Sequence, residues 1–180
     1  MARQTPTAGS ARLPAPGPRL ALVGSIKELM RDIVDPSADV LFDAVFYDVT
    51  AAGVEEKMPK TDDEWKEVRR NALILAEAAN LLRMPGRRVA SAGSTLGMKD
   101  EPPGPEDLPP AQIQVLIDRD RTTFNRLAQA LSDAAQLALK AADARSVGDL
   151  FASGENIDLA CENCHLKYWY PKSRLGPGKK

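Results

Sequence analysis

The chain is 180 residues long with a net charge of −1, enough for one domain with a sizeable core and without the basic excess of a nucleic-acid-binding surface. Hydrophobic residues make up 43% but aromatic ones only 5%, and alanine and leucine supply much of the apolar content, which favours helices over strands. No apolar run approaches the roughly 20 residues needed to span a bilayer.

The opening stretch "MARQTPTAGSARLPAPGPRLALVG" has basic residues but no uninterrupted apolar core, so it does not read as a secretory signal. Its Pro, Ala, Gly and Ser content makes residues 1–21 a disordered linker or leader. The alternative is a stalk whose signal or membrane tether lies outside the sequence. A first helical segment is expected from about Ser25 to Asp48, with Ile26, Leu29, Met30 and Ile33 at helical spacing. Pro36 should kink it, and Val40, Leu41, Ala44 and Val45 resume the apolar stripe.

The second segment opens on "TDDE", where Thr61 can cap while Glu64 reaches back. Trp65, Val68, Ala72, Leu75, Ala79 and Leu82 follow at steps of three and four, and "MPG" from Met84 to Gly86 ends the run. A Gly-, Ser- and Pro-rich loop covers roughly residues 85 to 109. Pro110 then suits the first turn of a third helix whose core face carries Ile113, Leu116, Ile117, Phe124, Leu127, Leu131 and Ala135. After "ARSVGD", a fourth runs from about Val147 to Tyr168, with Leu150, Ile157, Cys161, Cys164, His165 and Tyr168 on its apolar face. No strand alternation or internal repeat stands out. The expected fold is all-α, an antiparallel up-down-up-down four-helix bundle over residues 22–171 with a basic flexible tail over 172–180.

Both cysteines and the only histidine fall within "CENCH". Cys-x-x-Cys-His is the attachment signature for c-type haem, in which two thiols form thioethers with the vinyl groups and the imidazole ligates iron. On a helix, Cys161, Cys164 and His165 share one face, so the imidazole projects over the ring that the sulfurs tether. A zinc site would need ligands for which no further Cys or His exists, and a thioredoxin-like centre belongs at a helix N-terminus after a strand. A structural disulfide would leave His165 without a role.

With "SIKELM" and "KTDDEW", the run "CENCHLKYWYP" near the end of four helices resembles the class II cytochromes c, the cytochrome c′ superfamily, and especially their Met-ligated low-spin members. The resemblance covers roughly residues 22 to 171, with the Cys-x-x-Cys-His portion as its diagnostic part. It implies a bundle with one haem near one end facing the first helix, a periplasmic location, and loosely a homodimer through the first two helices.

With a single histidine, bis-histidine ligation within one chain is excluded. Up-down-up-down topology puts the haem where the first helix starts, the second finishes and the third starts. Met58 then falls at the far end and Met1 in the leader, leaving Met30, Met84 and Met98. Met30 is favoured as distal ligand because it shares a face with Ile26 and Ile33 and matches the helix-one methionine of the low-spin relatives; ordinary core filling is the alternative. Leu29, Ile33, Leu75, Leu82, Ile117 and Phe124 are candidate wall residues, and Arg119, Arg121 and Arg126 candidate propionate contacts, unless they form a charged outer face.

With Met30 bound, the expected protein is a monohaem electron carrier between a redox donor and acceptor. With that position open it would bind or sense small gases such as NO and CO, like the five-coordinate members. A third reading is an interaction module whose haem is structural. No acid, base or nucleophile constellation suggests an enzyme. "YWY" at Tyr168 to Tyr170 either caps the bundle end or meets the haem edge, and Lys167, Lys172, Arg174, Lys179 and Lys180 make the C-terminus basic.

Overall fold

The computed structural model describes residues 21–50, 53–91 and 104–171. The leader up to residue 20, Met98 and the basic tail from 172 onward lie outside these residues. The described chain is mostly helical, with one two-stranded sheet.

The first segment starts as α1 (Ile26–Leu29), continues as a π-helical turn (Met30–Val34) and returns to α2 (Asp35–Phe42). Ser25 caps it through a reciprocal capping box: its hydroxyl accepts from the Glu28 N–H, and Glu28 Oε2 accepts from the Ser25 N–H at 2.8 Å. Where the sequence leads one to expect a kink, the structure has this π turn just before Pro36. Pro36 has no N–H to offer, and just ahead of it the Asp35 N–H reaches back five residues to the Met30 carbonyl.

The helix ends at Phe42 rather than Asp48, a correction to the sequence expectation. Strands β1 (Phe46–Thr50) and β2 (Gly53–Lys57) follow as an antiparallel hairpin with Phe46 opposite Lys57 and Thr50 opposite Gly53. Aromatic and β-branched residues crowd 45–50, and Gly53 adopts φ +135°, a conformation that suits glycine. All five residues of β2 are exposed. With no buried face on that strand, there was no inside–outside alternation to read. Tyr47 anchors the hairpin edge-on against Phe151, with ring centroids 5.9 Å apart.

α3 (Asp62–Arg83) begins at the Thr61–Glu64 capping box and stops at Met84, with Gly86 at φ +82° in the turn beyond. The third segment is not one helix. α4 (Pro110–Arg119) breaks at Asp120, whose non-helical backbone (φ −137°, ψ 60°) ends one helix while its carboxylate caps α5 (Arg121–Ala144) by accepting from the Thr123 N–H at 3.1 Å. α6 (Val147–Tyr168) has the expected limits, capped by Ser146 after Arg145 turns the chain in the left-handed region.

α3 and α5 run antiparallel. Arg69 meets Asp143 and Asp62 meets Arg145, each at 2.7 Å, at one end, while Arg83 meets Gln129 further along. α6 returns along α5, so that Tyr168 reaches Phe124 and the Asp120 carbonyl. α2 packs against both α3 and α6. The buried side chains form two clusters. One is alanine-rich, with Ala72, Ala79, Ala135 and Ala138 fully enclosed around Leu75 and Ile157. The other, built from Ile26, Leu29, Leu82, Val89, Ile113, Ile117, Phe124, Ala128 and Tyr168, occupies the end where α1 starts and α6 finishes.

Candidate functional site

The last two turns of α6 carry Cys161, Cys164 and His165. Cys164 and His165 line an apolar cavity of about 70 Å³ whose walls come from five parts of the chain. α1 and the π turn supply Ile26, Lys27 and Met30, the segment after α3 supplies Val89, α4 supplies Ile113 and Ile117, and α5 supplies Phe124. Tyr168 and Trp169 complete it from the end of α6. Cys161, one turn before Cys164, is half-buried against the alanine-rich cluster and stands outside the lining.

Backbone hydrogen bonds hold the segment after α3 over the cavity. The free N–H groups at the start of α1 are satisfied by it: Ile26 donates to the Arg88 carbonyl at 2.8 Å and Lys27 to the Val89 carbonyl at 3.0 Å. Val89 in turn donates its N–H to Gln114 Oε1 on α4 at 2.8 Å. Arg87, 4% exposed, bonds the Leu81 and Gly24 carbonyls and Met84 Sδ, tying the end of α3 to the start of α1. The break at Asp120 serves the same end, because its carbonyl accepts the Tyr168 hydroxyl at 3.3 Å.

Burial pushes the His165 imidazole below its ordinary pKa, outweighing the nearby Glu162 and Asp107 carboxylates, so the ring is neutral at pH 7 and keeps a lone pair for a metal. Burial also raises both thiols, Cys161 to about 11, with Asp35, Asp158 and Glu162 adding to the effect, and Cys164 to about 12. Their place in the final turns of a helix, at the negative end of its dipole, works in the same direction. Two unjoined thiols of this kind are poor attacking groups for disulfide exchange, which needs a stabilised thiolate. Among the described residues no group of three or more His, Cys, Asp and Glu side chains could hold a metal ion. A lone imidazole is too few donors for a bare ion but suffices where a porphyrin brings four nitrogens of its own.

Two of the six expected wall residues, Ile117 and Phe124, line the cavity. Leu29, Ile33 and Leu82 belong to or pack on the surrounding cluster, and Leu75 belongs to the alanine-rich one. Ile26 and Ile113 were missed, although each opens a helix at this end. Val89, in a loop, carried no periodic signal. Met30 lines the cavity, whereas the Met84 sulfur accepts from Arg87 Nη2 at 3.2 Å, and Met58 lies in a surface groove beside Glu64 and Val68. Of the three arginines, Arg119 and Arg126 are exposed. Arg121 lies over the Phe124 ring, 5.1 Å from its centroid, and donates to the Arg83 and Met84 carbonyls.

Trp169 stands edge-on to His165, with centroids 5.2 Å apart, and Tyr170 does the same at 5.8 Å while donating to Glu162 at 2.7 Å. The Trp169 indole nitrogen is buried without a hydrogen-bond partner, a state that costs about 1–3 kcal/mol. Among the described residues no helix is long and apolar enough to cross a membrane. No family model, curated protein or solved structure matches the chain.

Proposed function

We propose that the protein is a monohaem c-type cytochrome, a four-helix bundle that carries single electrons between redox partners and is not an enzyme. The observation that carries this reading is the meeting of Met30 from the first helical segment and His165 from the last on the wall of one apolar cavity, beside Cys164. The antiparallel contacts of α3 with α5 and of α5 with α6, with α2 set against α3 and α6, support the bundle.

Bound haem would supply a one-electron couple at its iron. Cys161 and Cys164 would tether it by thioethers, His165 would donate its neutral imidazole, and the thioether of Met30 would stabilise the reduced metal relative to stronger donors. Ile26, Val89, Ile113, Ile117 and Phe124 would exclude water, keeping the surroundings of the metal nearly unchanged between its two states. The cavity as it stands is smaller than a porphyrin, so binding requires wall side chains to move apart, with the unbranched Met30 and Lys27 the most adaptable. A periplasmic site of maturation, with protein donor and acceptor, belongs to the same reading.

The gas-binding alternative draws on one observation: Met30 also packs against both core clusters, as a filling side chain would. The test is the absorption spectrum and mass of protein matured with c-type attachment machinery. A mass gain of one haem, a low-spin spectrum and a sulfur–iron band support the electron carrier. A rapid, large Soret shift when CO meets the reduced protein would point to the gas-binding reading. Colourless protein of bare polypeptide mass would overturn both.

A further inference from the structure

The first helical segment is held at both ends and is irregular between them. At its start, Ile26 and Lys27 donate to the carbonyls of Arg88 and Val89, and Ile26 and Leu29 belong to the apolar cluster around the cavity. At its end, Ala38 and Leu41 of α2 belong to the alanine-rich cluster, where α2 packs against α3 and α6. The π turn joins the two parts. Its first residue, Met30, lines the cavity, and its last, Val34, is buried in the alanine-rich cluster.

A π turn carries one residue more than the α turn it replaces. At 3.6 residues per turn, that extra residue rotates the side chains before it by about 100° relative to those after it. Closing the turn while α2 keeps its contacts would therefore swing Met30 away from the cavity. Pro36 opposes closure. In an unbroken α-helix position 36 would donate to the Asp32 carbonyl, but proline has no N–H and its ring crowds that carbonyl. One residue earlier, the Asp35 N–H reaches the Met30 carbonyl, five residues back. Pro36 itself is exposed and belongs to neither cluster, so its contribution runs through the backbone.

We propose that Pro36 is a positioning residue: it keeps the π turn open, and the open turn holds Met30 on the cavity wall as distal ligand. This rests on the haem reading above, with Met30 as its sulfur donor.

The test compares matured wild type, Pro36→Ala, Met30→Leu and the double variant. Alanine at an exposed helical site removes no buried contact and favours the helix, so Pro36→Ala should fold and keep its covalent haem. The turn itself is read by NMR on isotope-labelled, CO-saturated reduced protein, in which the iron is low-spin in every variant. Coupling across the bond from the Asp35 N–H to the Met30 carbonyl should be present in wild type and lost in Pro36→Ala. The sulfur–iron band of Pro36→Ala should vanish, and CO should bind its reduced form faster than wild type. The double variant should match Met30→Leu in CO rate, because Pro36 acts through that side chain. Retention in Pro36→Ala of the coupling, or of the wild-type band and CO rate, would overturn the proposal while leaving haem attachment and Met30 ligation intact. So would a Pro36→Ala effect on CO binding that persists undiminished beside Met30→Leu. Wild type without covalent haem, or Met30→Leu with the wild-type band, would overturn the underlying reading and this proposal with it.

Discussion

The two clusters of this molecule are built from different side chains and do different work. In the alanine-rich one, Ala72 and Ala79 on α3 face Ala135 and Ala138 on α5, and small side chains let the two backbones approach closely. Ser132 adds a hydroxyl bond to the Ala76 carbonyl at 3.2 Å across the same contact. At the other end, isoleucine, valine, phenylalanine and tyrosine line a cavity, with Ala128 the one alanine among the buried residues of that cluster. Close packing fixes the helices at one end, and large side chains contributed by five chain segments shape a site at the other. Met30 and Ile33 touch both clusters, while Cys161 packs on the first and Cys164 on the second, so the proposed haem site lies at the boundary.

That contrast can be broken from either side. The largest effect is all-or-none: replacing Cys161 and Cys164 together by alanine should abolish the mass gain of one haem, read by intact-mass spectrometry. Next come the close-packed residues. Leu75→Ala should cost about 2–5 kcal/mol by leaving a cavity, and Ala135→Leu about 1–3 kcal/mol by overpacking a site that has no space. Urea denaturation measures both, and a neutral Ala135→Leu would show that the helices there are not in tight contact.

Met30→Leu should separate ligation from packing. The two side chains are close in volume, so stability should change by less than about 1.5 kcal/mol. The sulfur–iron band should vanish, and CO should bind the reduced protein rapidly. Retention of the band would assign the distal ligand elsewhere. Tyr168→Phe, which removes the bond to the Asp120 carbonyl, should cost about 0.5–1.5 kcal/mol, again by denaturation.

The smallest effect lies on the cap of α3. Glu64 accepts from the backbone N–H groups of Lys60 at 2.8 Å and Thr61 at 2.7 Å, and these bonds hold its carboxyl below the usual range. A folded pKa below the unfolded value gives stability that is fully present above the unfolded pKa, about 4.3, and lost as pH falls through the lowered one. Glu64→Gln should therefore lower Tm slightly at neutral pH, and its difference from wild type should shrink as pH falls through the lowered pKa, which flattens the acid limb of the Tm–pH profile.

The limits of α3 and α6 were legible because their signals are local. Thr61 with Glu64 marks a start, Met84-Pro85-Gly86 marks a stop, and Arg145-Ser146 separates two long apolar stripes. The hairpin was not legible, since Val40, Leu41, Ala44 and Val45 fit a helical stripe as well as the end of one, and β2 buries nothing. The break at Asp120 was hidden for a related reason: Ile117 and Phe124 are seven residues apart, which an unbroken helix would also place on one face.

From residue order alone came the Cys161, Cys164 and His165 constellation, with a helical spacing that sets its three members on one side of α6. Which side chains meet it was a tertiary decision. Val89 reaches the cavity because a loop satisfies the open N–H groups of α1, and α4 reaches it because the chain bends at Asp120. Met84 was separated from Met30 by Arg87, whose bond to its sulfur no periodicity encodes. Helix limits depend on neighbours within a turn or two, which a sequence displays. A cavity depends on groups far apart in the chain, and only folding brings them into contact.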